Sequence, residues 1–240
     1  MVELRNFQQS GTRSAAAIDQ GLRSYMQGIY NYMALGIALT AIIILAVASN
    51  PALMATVLGL KWILFFATIG LGFFAPRLVF SGNAAVAHGA YWAYCALWGL
   101  MIAPMVAHYL ALSPTLVFKA FLITAVTFGA TSLAGYVTKR DLSGFGGFFM
   151  IASIGILIAI LVNAFFVGST FMSLLVSVAT VLLFAGVTAW ETQQIKEQYI
   201  EGDMPIAARG KSIFGAMQLY GSFVTLFVHI LNILGIMRSE

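Results

Sequence analysis

The sequence contains few charged residues. Only 8% of its 240 residues are charged, whereas about 25% are charged in an average soluble domain, and 61% are hydrophobic. The charges separate apolar runs of about 20 residues, the length needed to cross ~30 Å of hydrocarbon. Because so few charges cannot cover a water-exposed surface, the composition excludes a soluble protein. It predicts an all-α integral membrane protein.

Residues that build catalytic and metal sites are also scarce. There is one cysteine, Cys95, within an apolar run, and there are three scattered histidines. The sequence has no His-Glu-x-x-His pattern, no Gly-rich phosphate loop and no serine nucleophile elbow. We therefore expect no enzyme activity, no metal and no cofactor, and a packing role for Cys95. The net charge of +4 predicts no nucleic-acid partner, because Lys and Arg accumulate in cytoplasmic membrane loops.

The apolar runs predict seven transmembrane helices, at 27–48, 60–80, 85–110, 115–137, 147–167, 170–190 and 212–236. Residues 1–26 form a polar tail, and residues 27–240 form a single transmembrane domain. The first apolar run is longer than the ~7–15 residues of a signal-peptide core, so it is interpreted as an anchor. Residues 50–59 are too few to span and are expected to form an interfacial turn.

The distribution of positive charge predicts the topology. With seven crossings, nine Lys and Arg residues lie on the N-terminal side and three on the other. The nine are Arg5, Arg13, Arg23, Arg77, Lys139, Arg140, Lys196, Arg209 and Lys211; the three are Lys61, Lys119 and Arg238. By the positive-inside rule the N-terminus is cytoplasmic and the C-terminus is outside.

The last predicted helix carries a polar stripe with steps of 4, 3, 4 and 3 residues: Gln218, Ser222, Thr225, His229 and Asn232. These steps place all five side chains on one helical face. Polar groups facing lipid would lack hydrogen-bond partners, so the face should meet protein or water and the helix should be central. The stripe is either an ion pathway or a set of interhelical hydrogen bonds. His229 is either a proton sensor or a neutral core histidine.

Two charged residues are candidates for a sensor or gate. Glu191 is the acid placed nearest the membrane at the end of the sixth predicted helix, where it could change its protonation state. The alternative is an ordinary solvated glutamate. Arg77, after Pro76, is a candidate partner for Glu191, because intramembrane charges usually pair; the simpler interpretation is a side chain that reaches the interface.

Two hydrophilic connections complete the set of candidates. Lys139, Arg140 and Asp141 stand beside a glycine turn, and they form either a loop motif with a direct role or an ordinary cytoplasmic connector. Residues 191–211 mix acids and bases and are a possible docking site for a partner; a solvated connector is the alternative.

Three segments resemble the Bax inhibitor-1 family: residues 135–147, GYVTKRDLSGFGG; residues 188–196, TAWETQQIK; and residues 219–227, LYGSFVTLF. Residues 161–165, with Asn163, are similar to the family's fifth helix. The resemblance implies seven helices with the seventh surrounded by the other six, as in bacterial-type members of the inner membrane. It also implies a pH-sensitive calcium leak, or a role in restraining stress and cell-death pathways.

The resemblance also implies a pair of acids, one in the sixth helix and one in the seventh. Glu191 matches the first position, whereas Ser222 stands at the second. A leak in this chain would therefore rely on Glu191 with Arg77, or on His229. Calcium would bind only weakly to one glutamate with hydroxyls and carbonyls, which is compatible with permeation.

These observations leave three hypotheses. The first is a slow, pH-dependent leak of calcium or protons, gated at Glu191 and lined by the polar stripe. The second is a non-conducting regulator that binds another membrane protein, such as a membrane-bound protease, through the N-terminal tail and residues 191–211. The third, a small-molecule transporter, has only Pro104 near the end of the third predicted helix in its favour.

Overall fold

The computed structural model describes residues 2–238, with side chains from residue 20 onward. The described chain is helical and contains no strand. Its helices are α1 (Val2–Ala48), α2 (Pro51–Gly59), α3 (Lys61–Val79), α4 (Ala84–Leu112), α5 (Pro114–Val137), α6 (Gly146–Val162), α7 (Thr170–Glu197) and α8 (Pro205–Arg238). A 3₁₀ turn, Ser143–Phe145, precedes α6, and a π-helical turn, Asn163–Val167, follows it.

Seven helical segments are long and apolar enough to cross a membrane, and they confirm the predicted all-α fold with seven crossings. They are Gln20–Ala48, Lys61–Val79, Ala84–Leu112, Pro114–Val137, Ser143–Val167, Thr170–Glu197 and Pro205–Arg238. Consecutive crossings run in opposite directions. We call the face that contains Gln20, Val79, Val137 and Glu197 the near face, and the opposite one the far face.

Large apolar side chains on the outside of the bundle are what a lipid environment requires. Phe73, Phe166 and Leu182 are 78%, 85% and 71% exposed. Outward apolar side chains replace water contacts by contacts with acyl chains, while the backbone polar groups are satisfied within each helix.

Local sequence explains where several helices begin and end. Asn50 and Asn83 accept hydrogen bonds from the first amides of α2 and α4, and Ser169 does the same for α7. The π-helical turn after α6 ends at Gly168, whose φ of +63° is favourable for glycine. Asn50 and Ser169 therefore cap helices at the far face, and Asn83 caps one at the near face.

Helix boundaries differ from the predicted ones at the near face. Helix α1 begins at Val2, within the predicted polar tail, α7 continues to Glu197, and α8 begins at Pro205. Most of the polar segment 191–211 is therefore helical, and the connection itself is residues 198–204. The reason is that polar residues can continue a helix beyond the hydrocarbon, where hydropathy gives no signal.

The last helix, α8, is the most buried crossing: half of its apolar window is inside the protein. It packs against α1, α3, α4, α5 and α7, whereas α6 packs chiefly against α7. The expectation that the seventh crossing is surrounded by all six others is therefore not confirmed. Because α8 packs against five other helices, its polar stripe faces protein.

Candidate functional site at the interface of α7 and α8

A buried carboxyl group lies at the interface between α7 and α8. Glu191 is 9% exposed and Ser222 is 2% exposed, and the Ser222 hydroxyl donates a hydrogen bond to Glu191 Oε2 at 2.6 Å. That length is typical of a hydroxyl bonded to a carboxylate. Glu191 is thus not the solvated helix-end residue that the sequence allowed as an alternative, and α8 supplies its described hydrogen-bond partner.

Gln218 lies one helical turn before Ser222 on the same face of α8. Its Oε1 atom is buried and has no hydrogen-bond partner within residues 20–238. A buried carbonyl oxygen normally has a partner, which in a polar site is water or an ion. Gln218 thus adds a second polar oxygen to the face of α8 that carries Ser222.

A cavity of about 370 Å³ lies further toward the far face. Its polar lining consists of Asn163, Ser173, Ser177, Thr225, His229 and Asn232. This volume is enough for several water molecules, and the lining offers them hydrogen-bond partners. Thr225, His229 and Asn232 of the predicted stripe therefore lie together at this cavity, and we call it the far cavity.

Hydrogen bonds between helices organise the far cavity. Ser177 of α7 is bonded to His229 Nδ1 at 3.1 Å and accepts from Asn232 Nδ2 at 2.8 Å. These bonds are the interhelical contacts that the sequence left open as an alternative. They coexist with an open volume, so the stripe both joins α7 to α8 and lines a space.

Asn163 shapes the other wall of the far cavity. Its side-chain amide donates to the Ser173 hydroxyl at 2.8 Å and to the Ser169 carbonyl at 3.2 Å, and its Oδ1 accepts from the Ser169 amide at 3.0 Å. The sequence marked Asn163 only through the family resemblance. Its role in closing the turn between α6 and α7 follows from the fold.

Of the two interpretations of Arg77, the structure matches the side chain that reaches the interface and not the pairing with Glu191. Arg77 is exposed in the last turn of α3, and among the described side chains it makes no ion pair with Glu191. The physical reason is that a long cationic side chain at a helix end reaches water at little cost, whereas a buried ion pair requires desolvation of both groups.

The loop between α5 and the 3₁₀ turn is held by α7. Gln193 is buried; its Oε1 accepts from the Leu142 amide at 2.7 Å and its Nε2 donates to the Arg140 carbonyl at 2.8 Å. Lys196 donates to the Tyr136 carbonyl at 2.8 Å. Gln193 and Lys196 stand in the TAWETQQIK segment, but their spacing alone did not reveal them as anchors for this loop.

Within this loop, Lys139 and Arg140 are exposed, and Asp141 forms a local turn. Asp141 Oδ1 accepts from the Ser143 amide at 2.8 Å. Hydrogen bonds from Ser143 lower the pKa of this exposed carboxyl group from its ordinary value, because they favour the ionised form. The geometry accounts for Asp141 as a turn residue, and it brings Lys139 and Arg140 to the near face.

The described part of the chain contains no cluster of three or more His, Cys, Asp or Glu side chains that could hold a metal ion. Cys95 is buried and unpaired. Its carbonyl accepts from Thr40 at 3.2 Å and from Tyr220 at 3.3 Å, in a group that joins α1, α4 and α8. These contacts give this region a packing role.

Comparison with known proteins identifies the family. The family model described as "Inhibitor of apoptosis-promoting Bax1" matches residues 22–239. The chain belongs to the Bax inhibitor-1 family. The resemblance noted in helices near the C-terminus therefore extends across all seven crossings.

Several bacterial proteins are similar to this chain over most of their length. The inner membrane protein YbhL of Escherichia coli is 36% identical over 220 residues, covering 90% of this chain and 92% of YbhL. A protein of Deinococcus radiodurans is 39% identical over 234 residues, covering 96% and 97%. A membrane protein of Streptococcus pyogenes, SpyM3_0260, is 31% identical over 229 residues, covering 90% and 94%.

Proposed function

We propose that this protein is a slow cation leak of the membrane, for calcium or protons, with Glu191 as its pH-responsive gate. The observation that carries the proposal is the 2.6 Å hydrogen bond from Ser222 to Glu191. It joins α7 to α8 through a group that can carry charge, on the stripe that leads to the far cavity.

The path we propose follows one face of α8. From Ser222 to Asn232 there are ten residues, a rise of about 15 Å, or half of the hydrocarbon thickness. Gln218 supplies an unpartnered oxygen at the gate, and Thr225, His229 and Asn232 supply polar atoms in the far cavity. A cation would exchange its hydration water for the oxygen atoms of these side chains in steps.

Gating in this proposal arises from the charge of Glu191. An ionised Glu191 accepts from Ser222 and attracts a cation, whereas a neutral carboxyl group does neither to the same degree. A change of protonation therefore alters both the α7–α8 contact and the affinity for the ion. His229, bonded to Ser177, is the second titratable group on the path.

Weak binding is what this set of ligands supports. Calcium prefers six to eight oxygen ligands, several of them carboxylates. One glutamate, one amide oxygen and a few hydroxyl groups supply only one carboxylate, fewer than calcium prefers. Such a site suits passage rather than storage, because a permeant ion must also leave.

We place the protein in the bacterial inner membrane with the near face toward the cytoplasm. Two observations support this placement: the nine-to-three distribution of Lys and Arg between the two sides, and the similarity to an inner membrane protein of Escherichia coli. The gate would then lie closer to the cytoplasm and the far cavity closer to the outside.

The test is calcium entry into liposomes that contain a calcium dye and the purified protein, at about pH 6, 7 and 8. We expect flux that depends on pH in the wild type and a nearly flat profile in Glu191→Gln. Glu197→Gln is the matched control, because Glu197 is exposed on the same helix. Flux no greater than in empty liposomes at every pH would overturn the proposal.

A second candidate function is a non-conducting regulator that docks another membrane protein. The observation in its favour is an apolar surface at the near face: Ile200, Met204 and Ile206 are 59%, 74% and 60% exposed around the α7–α8 connection. Lys211 Nζ of α8 forms a 2.7 Å ion pair with Asp203 Oδ2 of this connection. Replacing the three apolar residues by serine should abolish partner capture and leave ion flux unchanged, the reverse of Glu191→Gln.

A further inference from the structure

A seam open to the surrounding lipid runs between α1 and α5, which are not a closely packed pair of helices. Two cavities lie along it. One, of about 390 Å³, lies at the near face between residues 23–30 of α1 and residues 128–136 of α5. The other, of about 320 Å³, lies further toward the far face between residues 37–45 and residues 114–121. Both are separate from the path along the other face of α8.

The two cavities differ in chemistry. The near cavity presents polar groups of Arg23, Gln27, Tyr30, Ser132 and Tyr136. Arg23 and Gln27 are exposed at its mouth, and the Lys196 ammonium lies 5.1 Å from the centre of the Tyr136 ring. The second cavity is lined almost entirely by apolar side chains, including Phe118, Phe121, Phe223 and Phe227. The seam is therefore cationic at one end and apolar along the rest.

The spacing matches one leaflet of a bilayer. Arg23 and Ile37 are 14 residues apart on α1, a distance of about 21 Å along the helix. Half of a bilayer, including one headgroup region, is about 20–22 Å thick. A headgroup at Arg23 thus places the acyl chain along the near cavity, with its end directed at the apolar one.

The volumes decide the kind of occupant. Cavities of 300–400 Å³ suit a flexible chain or a small molecule, whereas a helix has a diameter of about 10–12 Å and would not fit between α1 and α5. An apolar space open to the bilayer is filled by the acyl chains that surround it. The Arg23 guanidinium and the Gln27 side-chain amide at the mouth match a phosphate group, because both carry N–H donors.

We propose that the seam between α1 and α5 binds one anionic phospholipid of the near-face leaflet, with its phosphate at Arg23 and Gln27. The bound lipid has a route to α7. The Tyr30 hydroxyl is bonded to Ser132 at 2.6 Å, and Ser132 is bonded to Thr192 at 2.9 Å. Thr192 follows Glu191 directly in the chain, so lipid occupancy acts on the helix that carries the carboxyl group.

The test is native mass spectrometry of the purified chain with phosphatidylglycerol or phosphatidylcholine added. We expect tighter retention of phosphatidylglycerol, and retention about fivefold weaker in Arg23→Ala. Arg77→Ala is the matched control, since Arg77 is also an exposed arginine at the near face but lies on α3. It should leave retention unchanged.

A second variant tests the seam itself. Gly129 lines the near cavity, and a Cβ atom added there has no neighbour within 4 Å, so Gly129→Trp introduces a bulky ring at the cavity wall. We expect this variant to fold, as judged by its circular dichroism and melting temperature, and to lose the retained lipid. Equal retention of both lipids, or retention unchanged in both Arg23→Ala and Gly129→Trp, would overturn the proposal. Because the readout is lipid mass, it does not depend on ion flux.

Discussion

Ser222 donates a 2.6 Å hydrogen bond to Glu191 at the position where the family resemblance implies a second acid. Both side chains are buried in the α7–α8 interface. A hydroxyl stabilises the carboxylate without adding a second titratable group, whereas two carboxyl groups at this separation would share a proton. One titratable group therefore stands in this chain where the resemblance implies two.

The variant Ser222→Asp tests this relationship. Two carboxyl groups at hydrogen-bond distance cannot both ionise at low cost, so we expect a steeper pH profile of calcium flux, with a change of about tenfold between about pH 6 and 8. Liposome flux measures it. Ser212→Asp is the control, because the Ser212 hydroxyl bonds only the Ala208 carbonyl of its own helix. A wild-type profile in Ser222→Asp would contradict the expectation.

Asp141 provides a second pH-dependent prediction, outside the membrane. Its pKa is lowered by hydrogen bonds from Ser143, so the folded turn favours the ionised form. The contribution to the turn is complete above the ordinary aspartate value of about 3.9 and is lost as the pH falls through the lower folded pKa. The Ser143 amide resonance in a nanodisc NMR spectrum should therefore titrate below about pH 3.9, and not in Asp141→Asn.

The helical fold and the polar face of α8 could be predicted from the sequence because both depend on periodicity. Runs of about 20 apolar residues identify crossings, and steps of three and four residues place Ser222 and His229 on one face. Their partners could not be predicted. Ser177 lies on another helix, 52 residues from His229, and interhelical pairs depend on how the helices pack.

Sequence left the surroundings of two polar residues undecided. Arg77 allowed either an ion pair or a side chain that reaches water, and its position at an exposed helix end matches the second. Gln193 lies in a segment whose composition is typical of a solvated connector, yet it is buried and bonded to a loop 51 residues away. Composition distinguishes residues in the membrane from residues in water. It does not distinguish a polar side chain that is exposed to water from one that is hydrogen-bonded within the protein.

Gln193→Ala should loosen the loop at residues 139–145. The substitution removes two hydrogen bonds, to the Leu142 amide and the Arg140 carbonyl, each worth about 0.5–1.5 kcal/mol. We expect faster amide exchange in this loop and a loss of about 1–2 kcal/mol of stability. Gln194→Ala is the control, since Gln194 makes only an exposed 3.5 Å contact with Glu197. Equal exchange in the two variants would show that Gln193 does not anchor the loop.

Gly135→Ala should weaken the packing of α5 on α7. A methyl group at Gly135 would overlap the backbone carbonyl of Ala189, and backbone atoms cannot move aside as a flexible side chain can. Overpacking of this kind costs about 1–3 kcal/mol. Gly129→Ala on the same helix meets no neighbouring atom, and because alanine favours helix over glycine by about 1 kcal/mol it should be neutral or stabilising. Unfolding in mixed detergent micelles measures the stability of both variants. Equal stability of the two would mean that α5 and α7 can move apart without a loss of stability, and that Gly135 does not set their distance.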